Sequence, residues 1–190
     1  DPSETVRRSV ANHLNDVAKD HPELVVDTVA RWSGESDTDR RMASHALRTL
    51  VKRGDPAALE ALGFTTDAHI EVDDFDVAPR HVGMGDHVTL NAVVRSTATS
   101  TQRLVVDFVI HHVNASGDTS PKVFKWTTVD LPAGESVDLT KRRKIATAST
   151  RRYHAGVHRV ELQVAGQVMA ERAFELLDSS DGPVTPASQP

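Results

Sequence analysis

The sequence contains no cysteine. Disulfide frameworks, thiolate metal sites and cysteine nucleophiles are therefore excluded, and the composition fits a reducing compartment. No apolar run approaches the roughly 18–20 residues that a membrane span needs, and no signal-peptide pattern is present. There is no glycine-rich phosphate loop, no nucleophile elbow and no pair of catalytic carboxylates at a defined spacing. The ten histidines show no metal-ligand spacing, so neither a metal nor a cofactor is expected. The net charge of −5 excludes a chain-wide polycation, and any anion-binding surface must arise from local clustering. What remains is an ordinary folding composition, with 38% hydrophobic and 26% charged residues in a chain of 190. That length suits one large domain or two small ones. The chain opens at Asp1 inside a helical pattern, which suggests a piece of something longer.

The periodicity changes near residue 64. Before it, apolar residues recur at helical spacing. Ser3 is a suitable N-cap for a helix bearing Val6, Val10, Leu14 and Val17, and Asp20-His21-Pro22 ends it. Pro22 opens a second helix through Trp32. A third helix starts at Ser36 or Asp37 and runs through Val51, with Lys52-Arg53-Gly54 as its stop. Asp55-Pro56 caps a short fourth, ending near Gly63. Short helices joined by tight turns have the layout of paired-helix solenoid repeats.

After residue 67 the apolar residues alternate with period two. Seven strands are predicted, near 69–77, 88–95, 104–110, 122–131, 134–140, 159–164 and 167–177. Seven short strands separated by turn signals suggest an immunoglobulin-like sandwich, with Trp126 as a core anchor. The predicted organisation is a multi-domain α + β chain. Residues 1–64 form helical repeats at the C-terminal end of a longer solenoid. Residues 68–177 form the sandwich, and residues 178–190 are expected to be a disordered tail.

Two polar features stand out. On the first helix Arg8, Asn12, Asn15, Asp16 and Lys19 share one side. A solvated face explains that pattern, but asparagines are costly inside a helix. One carboxylate among amides and cations also suits a cationic transition state. A second cationic row, His45, Arg48 and Lys52, lies on the third helix and is equally compatible with ordinary surface. Residues 141–159 hold seven basic residues and no acidic one: Lys141, Arg142, Arg143, Lys144, Arg151, Arg152 and Arg159. Strand alternation would bury Lys141 and Arg143, so the quartet 141–144 is expected at a bulge or loop. Arg151, Arg152 and Tyr153 fall on a second loop, where such residues suit phosphate contact and groove insertion. A solvated sheet edge is the competing reading.

The segment Val6-Arg7-Arg8-Ser9-Val10-Ala11-Asn12-His13-Leu14-Asn15-Asp16, followed by Lys19-Asp20-His21-Pro22, resembles the AlkC-type alkylpurine DNA glycosylases of the HEAT-like-repeat alkylation-repair superfamily. The run His45 to Lys52, Leu62-Gly63-Phe64, Lys122-Val123-Phe124-Lys125 and Thr150-Arg151-Arg152-Tyr153 extend the likeness. The family pattern has an arginine where Ser44 stands and a longer aromatic-proline version of Tyr153-His154-Ala155-Gly156. The resemblance implies stacked helical repeats followed by an immunoglobulin-like domain, in a monomeric, cytoplasmic, nucleoid-associated bacterial protein. It implies excision of cationic N3- or N7-alkylated purines from double-stranded DNA without base flipping. Asp16 would then stabilise the oxocarbenium-like sugar or act as base. Arg8, Asn12, Asn15, Lys19, Arg48, Lys52, the 141–144 quartet, Arg151, Arg152 and Tyr153 would contact DNA, and Trp32 would stack. A fragment lacking the earlier repeats is expected to be incomplete for catalysis. A non-catalytic scaffold binding protein partners is the alternative, because solenoids commonly serve that purpose. A surface adhesion module is a weaker third reading, disfavoured by the absent signal and the lack of cysteine.

Overall fold

Helix occupies the chain up to residue 61 and strand takes over from residue 70, in a computed structural model that describes residues 2–32, 36–146 and 153–178. The helices are α1 (Glu4–Val17), α2 (Pro22–Trp32), α3 (Asp37–Ala46), α4 (Arg48–Lys52) and α5 (Pro56–Ala61). Their starts follow from local chemistry. The Ser3 hydroxyl accepts the Val6 N–H, Ser36 accepts that of Asp39, and the Asp55 carboxylate accepts that of Ala58 just ahead of Pro56. The helices bury a small core of Ala11, Ala18, Val25, Val29, Leu47 and Leu50.

The predicted third helix is interrupted. Leu47 leaves helical geometry at φ −93°, ψ 4° and separates α3 from α4. No side chain of Leu47 can cap α4. The Asn15 amide oxygen does so from α1, accepting the Thr49 N–H at 3.1 Å.

The strands are β1 (Ile70–Ala78), β2 (His81–Val82), β3 (His87–Ser96), β4 (Gln102–Val113), β5 (Thr119–Leu131), β6 (Ser136–Lys144), β7 (Gly156–Val164) and β8 (Gln167–Leu176). They form a three-stranded sheet, β1-β3-β6, and a five-stranded sheet, β2-β8-β7-β4-β5. The two-residue β2, parallel to β8, adds to the seven predicted strands. The inward faces share one core that includes Phe75, Leu90, Phe108, Trp126, Leu162 and Phe174.

Two bulges make this core possible. In β1 the register skips Asp73, so Ile70 and Val72 face inward before it and Phe75 and Val77 after it. In β5 the register jumps from Lys125 to Thr127. Phe124 and Trp126 then face inward on one parity, and Val129 and Leu131 on the other. A regular strand would have sent one pair into water.

The helices seat on the outer face of the five-stranded sheet. Leu104 and Val106 point into the sandwich, while Val105 points away from it and packs with Leu59 of α5 and with Ala165. The Thr65 N–H donates to the Arg103 carbonyl at 2.8 Å. The backbones of Gly54, after α4, and Gly166, in the β7–β8 turn, touch. A Cβ on Gly166 would lie 2.1 Å from the Gly54 Cα.

Candidate nucleic-acid interface

The polar side of α1 divides into residues that hold the helices together and residues that face solvent. Asn15 is 3% exposed and spends its oxygen on Thr49. The expectation that it contacts DNA therefore gives way to an internal capping role. Asn12 is half-buried, and its oxygen accepts a hydrogen bond from Nε2 of His45 at 2.8 Å. The two costly asparagines thus tie α1 to α3 and α4.

Arg8, Asp16 and Lys19 are exposed. Lys19 Nζ lies 2.7 Å from Asp16 Oδ1. That hydrogen bond and charge, aided by Arg48 and His13, hold the Asp16 carboxyl below its usual range. Such a group is a fixed anion, suited to stabilising developing positive charge and poorly suited to accepting a proton. Arg48 donates to the His45 carbonyl at 2.8 Å. Burial first, then the charges of Arg48 and Arg8, lower the proton affinity of His45. Those three groups therefore share one region of positive potential between α1 and the α3–α4 junction. Sequence reasoning gave Arg41 no role, although Arg41, His45, Arg48 and Lys52 follow steps of four, three and four on one helical face.

The cationic row continues to the sandwich. Arg48 and Lys52 line a cavity of about 90 Å³ together with Phe64, Asp107 and Lys125. Asp107 is 3% exposed. Burial pushes its carboxyl up to about 6, and Lys125 and then Lys52 pull it partly back. The β5 bulge pairs Asp107 with Lys125 and sets both at this junction. The one signal of Asp107 in the sequence is that it interrupts residues 104–110, a run otherwise apolar on both parities.

The quartet 141–144 is neither bulge nor loop. It is the regular end of β6, paired with β3 in unbroken register from Leu90↔Lys141 to His87↔Lys144. Lys141 and Arg143 have the inward parity, but β6 is an edge strand and the sandwich is open there. The Arg143 guanidinium sits 4.2 Å above the Phe124 ring, and Lys122 Nζ lies 5.3 Å from the same ring. Long stems let both charges reach water. Arg142 and Lys144 are exposed on the outer face of the three-stranded sheet, away from the helices. The quartet is therefore split between two surfaces.

Tyr153 is also corrected. Its ring is 8% exposed and packs 4.2 Å from that of His112 in the core, which leaves it no free face for DNA. Arg151 and Arg152 lie outside the described residues, as does the predicted tail from residue 179 onward. Trp32 is 47% exposed. It borders an apolar cavity with Val29, Met42, Ala43 and Ala46, on a different side of α3 from Arg41 and His45. It is not brought together with the cationic row. Among the described residues no cluster of metal-ligating side chains occurs, and no helix is long and apolar enough to cross a membrane.

Residues 71–178 match the family model described as "Uncharacterised protein YhaZ, C-terminal Ig-like domain". The chain belongs to this YhaZ family. The YhaZ protein of Bacillus subtilis is 30% identical over 176 residues, covering 93% of this chain and 49% of its own length. Among solved structures, the alkylpurine DNA glycosylase AlkC of Pseudomonas fluorescens, bound to DNA containing an abasic site analog, superposes with a TM-score of 0.89. It is 36% identical, over 94% of this chain and 50% of that one. A β-glucosidase from Erythrobacter marinus shares only the fold, at 16% identity and a TM-score of 0.50, over 58% of this chain and 16% of its own. The YhaZ-type chain spans about half the length of its two closer counterparts. Sequence and structure together make it AlkC/YhaZ-type, a mixed α + β chain ending in an immunoglobulin-like domain.

Proposed function

We propose that this chain grips double-stranded DNA within an alkylation-repair glycosylase that releases cationic N3- or N7-alkylated purines without flipping the base. Residues 1–64 act as HEAT-like repeats and residues 68–177 as a DNA-bracing domain. The observation that carries this reading is the likeness to DNA-bound AlkC along 94% of the chain. The cationic row from Arg8 through Arg48 and Lys52 to Lys125 supports it, because its four cations run from the helices to the sandwich and outnumber the two carboxylates set among them, Asp16 and Asp107. A lesion that already carries positive charge is a good leaving group. The enzyme then needs a fixed anion near the sugar and a firm hold on the backbone. Asp16 has the charge state for the first task, and Arg8, Arg48, Lys52 and Lys125 supply the second.

Two outcomes are expected. In the full-length enzyme, Asp16→Asn lowers 3-methyladenine release from methylated duplex by about 10²-fold, the size of effect seen when one preorganised electrostatic group is lost. Thermal stability should hold, since Asp16 is exposed. Unchanged release removes Asp16 from the chemistry. Separately, Arg48→Gln with Lys52→Gln should flatten the plot of log affinity against log salt by about two units, near 0.9 per phosphate contact. A binding curve indifferent to salt and to both changes favours the protein scaffold instead.

A further inference from the structure

The row just described begins at Arg8, and Arg8 also lines a groove between two helices. The groove between α1 and α3 encloses about 380 Å³. Helix α1 supplies Arg7, Arg8 and Ala11 to its wall, and α3 supplies Arg41, Met42 and His45. Glu4 and Thr38 complete it, so each helix contributes residues at i, i+3, i+4 and i+7. This is one face of each helix turned toward the other, with small Ala11 and flexible Met42 between the charged rims. Three guanidiniums line the space with one carboxylate, that of Glu4 in the exposed first turn, while Arg41 also donates its Nε–H to the Asp37 carbonyl at 3.2 Å and feels the charge of the Asp37 carboxylate. Two helices that merely packed would fill this face with apolar side chains. Here only Ala11 and Met42, at the floor, belong to the helical core, and the other six lining residues are polar or charged.

We propose that this groove is a phosphate cradle, in which Arg7, Arg8 and Arg41 hold one backbone phosphodiester of a nucleic acid and His45 borders the same anion. The assignment rests on the DNA reading above and deepens it by naming a seat for a phosphate. Guanidiniums present paired N–H donors that match phosphate oxygens, so three around one opening form a cage for a tetrahedral anion. His45 is held in place for the purpose. Its Nε2–H is committed to Asn12, which fixes the ring and leaves Nδ1 as the remaining nitrogen. The charged groups that bear on it are Arg8 from α1 and Arg48 from the start of α4, with Arg7, Arg41 and Glu4 lining the same groove. Burial, then the charges of Arg48 and Arg8, disfavour its proton. An anion seated among the guanidiniums offsets them and raises its proton affinity, so His45 reports occupancy.

The test has two arms. First, the His45 ring signals are followed by NMR across pH, with inorganic phosphate alone and with a short unmodified duplex. Both ligands are expected to shift the His45 titration upward, and Arg8→Gln with Arg41→Gln to abolish that shift. Second, duplex affinity is measured against salt. The double variant is expected to lose about two units of slope, hence roughly 50- to 100-fold in affinity at 0.1 M salt. The charge-matched control Arg31→Gln with Arg172→Gln, remote from the groove, should lose less than threefold. His45 signals that ignore both ligands overturn the cradle. So does duplex binding whose slope survives Arg8→Gln with Arg41→Gln; Arg8 then leaves the backbone hold, and the DNA reading stands on the separate slope of Arg48→Gln with Lys52→Gln. A His45 response to phosphate without any duplex binding overturns the backbone assignment and the DNA reading together.

Discussion

Gly166→Ala is expected to destabilise the chain by at least about 3 kcal/mol, read by chemical denaturation. The residue has φ +78°, and an added Cβ would lie 2.1 Å from the Cα and 2.8 Å from the nitrogen of Gly54. Both are backbone atoms, so no side chain can swing aside. Gly54 itself has φ +71°, and its own Cβ would meet the Gly166 Cα at 2.7 Å. The two turns approach this closely because Leu59, Val105 and Ala165 pack beside them. The substitution must therefore either unfold a turn or lift the helices off the sheet. Gly134→Ala is the control. It has φ +72° and nothing within 4 Å, so it carries the conformational cost alone, about 1 kcal/mol. Equal losses at both positions would show that the close contact contributes nothing.

Asp107→Asn is expected to stabilise the chain at pH 8 by about 3 kcal/mol and to leave it nearly unchanged at pH 4. Burial raises this carboxyl from 3.8 to about 6. The folded chain thus holds the proton more tightly than the unfolded chain does. The associated stability is complete below pH 3.8 and is lost as pH rises through about 6. Above that, the fold carries an ionised group it has removed from water. A rise from 3.8 to about 6 corresponds to roughly 3 kcal/mol. Denaturation midpoints between pH 4 and pH 8 check this. A variant whose midpoint falls with pH as steeply as the parent's would show that Lys52 and Lys125 neutralise Asp107 fully. A costly buried charge beside Arg48, Lys52 and Phe64, at the junction of helices and sheet, is the kind of strain that functional sites retain.

Helix ends were legible because their causes are local. Ser3, Pro22 and Asp55-Pro56 mark starts that the structure reproduces. The break at Leu47 was not, because its cause is an amide 34 residues from the N–H it caps. Strand positions followed from alternation. The bulges at Asp73 and Trp126 did not, since an extra residue shows only when the partner strand is known. The same gap explains the quartet. Alternation correctly gave Lys141 and Arg143 the inward parity, but it does not reveal that β6 is an edge where inward side chains can escape over Phe124. Tyr153 was read from its arginine neighbours, while its surroundings are set by His112 on another strand. For the candidate site, helical spacing collected Arg8, Arg48 and Lys52. It had no means of adding Asp107 and Lys125, which join them only because β4 and β5 turn that face toward the helices.

The bonds from Asn12 to His45 and from Asn15 to Thr49 lock α1 at one longitudinal setting against its neighbours. Sliding by a single helical step would strand a buried amide, so intermediate settings are disfavoured. The guanidiniums on either side of the groove consequently stand at a spacing decided when the protein folds. A visiting anion finds the receptacle already assembled, and little further ordering opposes its capture.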